Sequence, residues 1–390
     1  KNATFNQKAN FNVRGGTSKI TYFMNVNVNH ETGMLKDRSS NFFSYKNNID
    51  YMKYAFQNNV DFHMSKTSTL SLHLNVQLNN MHGPLTTSEG AGVDNIFGAI
   101  MGTNPVDFPV MYPQEDEKWY RWGSIVAGNY NPVNPVAVSS MGYKDTFEST
   151  VVANLDFDQK LDFITKGLSF KALISFKNWS YNSKYRLQGY NTYQLTDYTK
   201  NEDGTYNTNV NYNPVAINDK EKGDKRNQKQ ITLVVNPYFT YNIIDGLTWK
   251  TNAGLSLIDL DEFFYSSIYN PQYSGSGMLG QRNQERATTL TITNTVNFNR
   301  TFKDMHHLNV LLGQEAQKIS YRTIYAAASG YPSDAVFELD NASKPTGAGS
   351  STKASTLSSF FMNAEYNLND KYYLSGSFRY DGSSRFCVNN

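Results

Sequence analysis

Residues 70–79 read LSLHLNVQLN, in which apolar and polar side chains alternate without a break. Leu70, Leu72 and Leu74 are separated by Ser71 and His73, and the same order continues to residue 79. Successive side chains of a β-strand point to opposite faces, so this period of two predicts a strand with one apolar and one polar face. Residues 52–64 show the same period, and the short segment 65–68 that follows them predicts a hairpin.

The same alternation recurs along the whole chain. The other stretches that show it are 11–14, 20–28, 151–157, 168–176, 231–243, 247–257, 290–298, 308–312, 361–368 and 372–380. This makes about twelve strands, each expected to reach the roughly 9–11 residues that cross a bilayer when a strand is tilted. No segment shows a competing helical period, so we expect no helix.

The connections between these strands alternate in length. Tight turns are expected at 15–18, 65–68, 161–167, 245–246, 303–306 and 369–370, and long loops at about 80–146, 189–229, 267–287 and 326–355. The first loop is far longer than the roughly 12–15 residues usual in compact soluble domains. Outer-membrane barrels have short periplasmic turns and long extracellular loops. The sequence therefore predicts an all-β fold, an antiparallel transmembrane β-barrel, as one domain over residues 1–390.

A soluble β-sandwich or propeller is the alternative, because its strands also alternate. Strands of soluble folds average roughly 5–6 residues, whereas several here run to about fifteen. Pro237 lies inside one predicted strand and removes a ladder hydrogen bond, which predicts a bulge there. The candidates for an aromatic girdle at the membrane interface are Tyr22, Trp249, Phe302 and Tyr372, although aromatic residues favour strands in general.

The composition excludes several classes of protein. An aromatic content of 14% is too high for a disordered chain, and no apolar run approaches the roughly 18 residues of a transmembrane helix. With 36 basic and 34 acidic residues, the net charge of +2 argues against a nucleic-acid partner. The opening KNATFNQKAN has no apolar signal segment and the closing SSRFCVNN stops within a pattern, so we expect an internal piece of a longer protein.

Two motifs near the end of the chain carry a family resemblance. Residues 371–386 read KYYLSGSFRYDGSSRF and residues 307–317 read HLNVLLGQEAQ. With the hairpin-like segment VRGGTSKITYFMNVNVNHETG at 13–33, they resemble the SusC/RagA family of TonB-dependent outer-membrane transporters. The closest agreement is at Asp381, Gly382, Ser383, Ser384, Arg385 and Phe386. Cys387 stands where the family usually has glycine.

This resemblance implies a fold, a location and partners. Family members have an amino-terminal plug inside a barrel of about 22 strands. The present chain would be about the first twelve strands of that barrel, in the bacterial outer membrane, without the plug or the TonB box. The implied partners are a SusD-like surface lipoprotein, the TonB-ExbB-ExbD complex acting through the amino-terminal part, outer-membrane lipid, and a glycan or peptide substrate.

The histidine and acidic residues are weak candidates for a metal site. They are the adjacent pair His306 and His307 and the acidic group Glu115, Asp116 and Glu117. The histidines have only Asp304 near them, while metal sites need three or four converging ligands. The acidic group lacks the spacing of an EF-hand loop, so a solvated loop is favoured and calcium is the alternative. We expect no cofactor.

No catalytic constellation is visible. Asp156 and Asp158 are two residues apart on a predicted strand and therefore share its polar face, which suits a polar lumen better than acid–base catalysis. GxSxG, HExxH and P-loop patterns are absent. The favoured function is TonB-dependent import of an oligosaccharide or peptide by a non-enzymatic receptor with a SusD-like partner. The alternative is an outer-membrane adhesin or barrel enzyme without TonB coupling.

Aromatic and arginine side chains in the long loops are the candidates for substrate or partner contact. They are Trp119, Tyr120, Arg121, Trp122, Tyr130, Tyr190 and Tyr193. Aromatic rings stack on the apolar faces of sugars, and the arginine fork binds hydroxyls or a carboxylate. The same residues would equally serve to pack the loop on itself, and this alternative stays open at the level of sequence.

Overall fold

The computed structural model describes residues 4–36, 38–46, 48–85, 93–104, 106–113, 120–125, 133–187, 191–195, 201–205, 212–216, 222–268, 279–333 and 336–386. In chain order the elements are β1 (Asn6–Gly16), β2 (Ile20–Thr32), β3 (Asp50–His63), β4 (Ser68–Pro84), α1 (Val93–Met101), β5 (Trp122–Gly123), α2 (Pro135–Ser140), β6 (Gly142–Lys160), β7 (Leu168–Leu187), β8 (Thr192–Leu195), β9 (Tyr212–Ala216), β10 (Lys222–Ile244), β11 (Leu247–Ile268), β12 (Leu279–Phe302), β13 (His306–Ser329), β14 (Lys344–Leu368) and β15 (Tyr372–Ser383).

Within the described residues the strands form one large and one small sheet. The large sheet has twelve strands in the order β1-β2-β3-β4-β6-β7-β10-β11-β12-β13-β14-β15, and the small one has three in the order β5-β8-β9. Every strand of the large sheet pairs antiparallel with its neighbour in that order. The predicted number and order of strands are therefore confirmed.

The tight turns lie where the sequence places them. Asn369 and Asp370 both adopt left-handed backbone angles, with φ of 54° and 55°, which is the geometry of a type I′ hairpin turn. Gly246 has φ of +83°, and a Cβ atom there would come within 2.6 Å of the Asn299 carbonyl oxygen. Glycine at 246 is thus required both by the backbone angle and by the close approach of β12.

The register of the strands places the apolar side chains on one face of the sheet. A single row of directly paired residues crosses eight strands: Tyr22, Val60, Leu72, Leu155, Ile174, Val235, Leu255 and Leu290. Met24, Phe56, Leu74 and Phe170 are spaced by even numbers from members of this row, so they share its face. We call this the apolar face. Asn25, Asn27, Lys53 and Asp61 lie on the opposite, polar face, as the alternation at 20–28 and 52–64 predicts.

The aromatic residues predicted near the tight turns are on the apolar face. Tyr22 and Trp249 lie near the start of β2 and β11, Phe302 ends β12, and Tyr372 begins β15. All four side chains are exposed. Their position suits an interfacial girdle, because an amphipathic ring is most stable at the level of lipid headgroups.

The predicted bulge at Pro237 is wrong. Val235 pairs with Leu255 and Tyr238 with Asn252, so the ladder between β10 and β11 keeps the same register on both sides of the proline. On the other edge Pro237 stays paired with Ala172 of β7, and this continuous ladder removes any need for the strand to buckle. The irregularity in β10 lies instead near its end, between Asn242 and Ile244.

The strands run further than the alternation predicts, and the loops are shorter. The long connections span 85–141, 188–221, 269–278 and 330–343. The strand ends beyond the apolar residues are joined by polar contacts, such as the bond from Arg286 Nε to Asp259 Oδ2 at 3.1 Å. Polar residues at these strand ends interrupt the alternation of apolar and polar residues, so the sequence pattern underestimates the length of the strands.

The expectation of no helix is also wrong, because the first long loop contains α1 and α2. Asn134 caps α2, its side-chain oxygen accepting hydrogen bonds from the backbone N–H groups of Val136 and Ala137, and Pro135 occupies the first turn. This cap is readable in the sequence, but a helix of six residues is too short to show a period. No helix among the described residues has the length and apolar character needed to span a membrane.

Small apolar cores form where the loops fold back on the sheet. Ile96 of α1 packs with Val138 and Met141, next to Leu187 at the end of β7. In a second core, Tyr331 covers Phe263 and Tyr265 of β11. Gly280 leaves room for the Tyr331 ring, because a Cβ atom at position 280 would overlap its hydroxyl. These cores anchor the loops to the ends of the strands.

Candidate functional site

A cleft opens on the polar face where β6, β7, β10, β11 and β12 extend beyond the apolar residues. Its volume is about 340 Å³, and its lining combines charges with aromatic rings, as in Lys144, Tyr181, Asp224, Arg226, Glu262 and Phe264. We call it the polar-face cleft. Asp259 and Asp261 lie close to Glu262 along β11 but on the opposite, apolar face. Because both are charged, this part of β11 lies beyond the apolar band.

Glu262 is the centre of a hydrogen-bond network in this cleft. Arg226 donates from Nε and Nη2 to Glu262 Oε1 at 2.8 and 2.6 Å, and Gln228 donates to the same oxygen at 2.8 Å. Asn283 donates to the other carboxylate oxygen at 3.2 Å. The pairing of three strands brings these groups together, because Glu262 lies on β11, Arg226 and Gln228 on β10, and Asn283 on β12.

The carboxyl of Glu262 is held in its charged form. Burial alone would raise its pKa, but the bonds from Arg226, Asn283 and Gln228 and the guanidinium charge outweigh burial and keep the pKa below its ordinary value of 4.5. A depressed pKa means that the network stabilises the folded chain above pH 4.5, and that this contribution is lost as the pH falls through the lowered pKa.

Asp224 forms a second acidic centre on the same wall. Its side chain is buried, with 8% exposure, and accepts hydrogen bonds from the Tyr185 hydroxyl and, at 2.6 Å, from Ser266 Oγ. A buried carboxylate needs such partners, since an unpaired one would be costly. The cleft thus presents fixed charges and hydroxyl groups, which suit the binding of a polar solute.

Charged residues also line the polar face near the tight turns. Asp158 forms an ion pair with Lys171 at 2.5 Å, and Asp156 lines the same depression. Lys250 lies 4.4 Å from the centre of the Tyr238 ring. The prediction that Asp156 and Asp158 share the polar face is therefore confirmed.

The loops at the far end of the strands meet in a group of aromatic rings. The loop aromatic cluster consists of Phe42, Phe43, Tyr45, Tyr120, Trp122 and Tyr143. The ring of Trp122 lies 4.9 Å from that of Phe42 and 5.8 Å from that of Tyr120, and its side chain is only 2% exposed. Tyr120 also donates a hydrogen bond to the Phe42 carbonyl oxygen at 3.1 Å. The cluster fastens the first long loop to the loop between β2 and β3.

Backbone contacts join a third loop to the same assembly. β5 pairs in parallel with β8, Trp122 opposite Thr192, and the N–H of Ser124 donates to the Tyr193 carbonyl oxygen at 2.9 Å. Asn134 donates to the carbonyl oxygens of Val110 and Gly123 at 2.8 and 2.9 Å. Three loops are thus fastened into one layer, which we call the loop cap.

Among the predicted contact residues, the structure brings Tyr120, Arg121, Trp122 and Tyr193 together in the loop cap. The Arg121 guanidinium donates to the Pro113 carbonyl oxygen at 3.1 Å, so this side chain also holds the loop. The described contacts of these residues are loop packing, and ligand or partner contact by them stays a prediction. Trp119, Tyr130 and Tyr190 lie outside the described residues.

The motif residues 381–386 lie at the end of β15, beside the middle of β14. Arg379 donates from Nε to Asp381 at 2.9 Å and from Nη2 to Ser359 Oγ at 3.1 Å. Ser384 pairs with Thr356 through two bonds of 2.9 and 3.0 Å. This part of the motif fastens the end of β15 to the middle of β14. Gly382, Ser383, Arg385 and Phe386 continue it, and Cys387 lies outside the described residues.

The histidine pair does not converge on a metal. His306 contacts the Tyr366 hydroxyl at 2.6 Å, whereas His307 contacts Thr301 Oγ1 at 2.6 Å, and the two residues begin β13 on opposite faces. Over the described ranges no three histidine, cysteine or acidic side chains are grouped to hold a metal ion. Glu115, Asp116 and Glu117 fall in the segment that the structure leaves undescribed.

Sequence reasoning missed the residues that build the polar-face cleft. Asp224, Arg226 and Glu262 are ordinary polar members of an alternating pattern, with no spacing that distinguishes them from other polar-face residues. Only the register of β10 against β11 reveals that Arg226 and Glu262 are neighbours, two positions apart on adjacent strands.

Two curated proteins similar to the chain are TonB-dependent receptors. No protein-family model matches the chain. The chain is 28% identical over 262 residues to TonB-dependent receptor P39 of Formosa agariphila, covering 61% of this chain and 23% of that protein. It is 32% identical over 200 residues to TonB-dependent receptor P3 of the same organism, covering 49% of this chain and 19% of that protein. The matches therefore span about a fifth of the length of these relatives.

Solved structures support the fold. A structure of the RagAB peptide transporter aligns with a TM-score of 0.50 at 10% identity, covering 97% of this chain and 44% of that chain. The RagAB peptide importer in the closed-closed state aligns with a TM-score of 0.50 at 11% identity, covering 96% and 44%. Such low identity bears on the fold alone, and these alignments identify the twelve strands as part of a large barrel.

Proposed function

We propose that this chain, an outer-membrane barrel segment homologous to TonB-dependent receptors, lines the import path of a receptor that carries a polar nutrient into the periplasm. The nutrient is an oligosaccharide or a peptide, and the energy comes from TonB-ExbB-ExbD. In this arrangement the apolar face meets lipid, the polar face surrounds the path, and the long loops are extracellular.

The polar-face cleft is the observation that supports this proposal most directly. It lies on the loop side of the strands, where an incoming solute would first meet the barrel wall. Glu262 and Asp224 accept hydrogen bonds from side chains of the wall, so the cleft offers a prearranged set of charges and hydroxyls. Preorganised polar groups bind a polar solute with little ordering cost.

Uptake by whole cells tests the proposal. Cells that express the complete receptor would be given fluorescent oligosaccharides or fluorescent peptides, with and without functional TonB. We expect saturable uptake of one of the two substrate classes, and its loss without TonB. Uptake of neither class, or uptake that does not depend on TonB, would show that the proposed function is wrong.

Substitution of Glu262 by glutamine is expected to weaken uptake. Glu262→Gln removes the carboxylate that holds the Arg226 guanidinium against the wall, so the guanidinium loses its fixed position beside the cleft. Charged hydrogen bonds contribute roughly 1.5–3 kcal/mol, so the apparent KM should rise by about tenfold. The matched control is Asp261→Asn, which removes a carboxylate from the next residue on the apolar face. Equal KM values for the two variants would contradict a role for the cleft.

A SusD-like surface lipoprotein is the partner we propose for the loop cap. The cap is a single packed layer, and a preorganised surface suits a protein partner better than three separate loops would. The predicted contact residues Trp119, Tyr120, Arg121, Trp122, Tyr130, Tyr190 and Tyr193 all belong to its loops. Aromatic and arginine side chains are the usual anchors of protein interfaces.

Loss of the Trp122 ring is expected to release this partner. Trp122→Ala removes the buried ring that packs on both Phe42 and Tyr120, so the loop cap should loosen while the sheet stays intact. We expect co-purification of the lipoprotein with the complete receptor to fall roughly tenfold. Met101→Ala, which truncates an 84% exposed side chain of the same loop, is the control. Unchanged co-purification with Trp122→Ala would argue against the loop cap as the docking surface.

A further inference from the structure

Three basic side chains lie on the apolar face at the edge of its apolar band. Arg286 of β12 pairs directly with Arg322 of β13, and Lys318 of β13 pairs directly with Leu290 of β12. These residues share the face of Leu290 and Ile292, whose side chains are 49% and 54% exposed. We call Arg286, Lys318 and Arg322 the exterior basic cluster. It lies on the long-loop side of the band, which is the extracellular side of an outer-membrane barrel.

The arrangement of these charges is unfavourable without a partner. Like charges directly opposite each other in an antiparallel pair destabilise a sheet, since their Cβ atoms are only about 4.5–5.5 Å apart. Arg286 is partly compensated by its ion pair with Asp259. In the part of the chain that the structure describes, no ion pair is formed by Lys318 or Arg322. The cluster therefore carries excess positive charge at a surface that faces lipid.

Hydroxyl groups surround the cluster on the same face. Thr352 pairs with Arg322, Thr356 pairs with Lys318, and Ser320 pairs with Thr288. Guanidinium groups bind phosphate through two parallel N–H donors, and hydroxyls add further donors. The exposed Leu290 and Ile292 lie next to the cluster within the apolar band, where acyl chains would run, and the exposed Leu312 lies further along the same face. Hydrogen-bond donors for phosphate next to an apolar strip suit a ligand that carries both phosphate groups and acyl chains.

We propose that the exterior basic cluster binds the phosphate groups of a phosphorylated glycolipid in the outer leaflet of the membrane. The phosphates lie between Arg286 and Arg322, where they offset the repulsion between the two guanidinium groups, and Lys318 completes the site at the level of the headgroup. The acyl chains pack along the apolar face below. The site is on the outside of the barrel wall and is independent of the polar-face cleft and of transport.

Lipid binding by the purified complete receptor tests the proposal. The test variant replaces Arg286, Lys318 and Arg322 by glutamine, and the control variant replaces Lys19, Lys166 and Lys371, three exposed lysines at the tight turns. Binding to detergent micelles containing bisphosphorylated lipid A is measured by thermophoresis, alongside lipid A without phosphates and inorganic phosphate alone. A heat-modifiable gel shift confirms that both variants are folded.

We expect the test variant to bind the phosphorylated lipid at least about tenfold more weakly than the wild type, and the control variant to bind it normally. Raised salt should weaken wild-type binding. Normal binding by the test variant would overturn the proposal, as would an equal loss in the control. Equally tight binding of the lipid without phosphates would also overturn it, because acyl packing alone would then explain retention. Equally tight binding of inorganic phosphate would assign the cluster to a free anion instead.

Discussion

Residues 1–390 expressed with an export signal, but without the rest of the receptor, are expected to fail to insert into the outer membrane. In the described residues β1 pairs only with β2, and β15 only with β14, which leaves one edge of each strand open. Unpaired backbone N–H and C=O groups in hydrocarbon cost several kcal/mol each, so a sheet with two such edges is not stable in lipid. The segment should aggregate or be degraded in the periplasm.

The measurement is fractionation of cells followed by electrophoresis with and without heating. The complete receptor, expressed from the same vector, is the positive control and should appear in the outer membrane as a folded species whose mobility changes on boiling. Recovery of the isolated segment in that fraction as a folded monomer whose mobility also changes on boiling would contradict the prediction, because it would mean that the two edges find partners without further strands.

Leu74→Arg in the complete receptor is expected to lower the free energy of unfolding by about 2–4 kcal/mol. Leu74 lies in the middle of β4 on the apolar face, paired with Asn58 on one side and Ala153 on the other. An arginine there has no acidic partner across the strands and must lose its hydration in the hydrocarbon layer. The cost should be largest at this depth and smaller near either interface.

Urea unfolding of the receptor in phospholipid vesicles measures this difference. Asn75→Arg is the matched control, since it places the same side chain on the next residue, on the polar face. We expect this control to change the stability by less than about 1 kcal/mol. A similar loss in both variants would mean that β4 does not have one lipid-facing and one luminal side.

Some features of the apolar face could be understood only from the pairing of strands. Asn294 and Gln314 are polar residues at apolar-face positions, where the alternation predicts apolar ones. Thr251 donates to the Asn294 side-chain oxygen at 2.7 Å, and Asn294 donates to Gln314 at 3.1 Å. The three side chains satisfy one another across β11, β12 and β13, which lowers the cost of placing them against lipid. A single strand gives no sign of this row.

The sequence by itself determined the strands of the large sheet, their faces and the tight turns between them. Those features depend on local patterns: a period of two for residues such as Leu70, Leu72 and Leu74, and turn residues such as Gly246, Asn369 and Asp370 whose backbone angles are local properties. It also carried the resemblance to TonB-dependent transporters, and the chain is similar to two TonB-dependent receptors.

The tertiary structure alone decided the polar-face cleft, the loop cap and the exterior basic cluster. Each is made by residues far apart in the chain: Arg226 with Glu262, Phe42 with Trp122, and Arg286 with Arg322. Polar residues at alternating positions look alike along one strand, whichever residue lies opposite. Their roles depend on the register between strands, and that register is set by the turns and ladders of the whole sheet acting together.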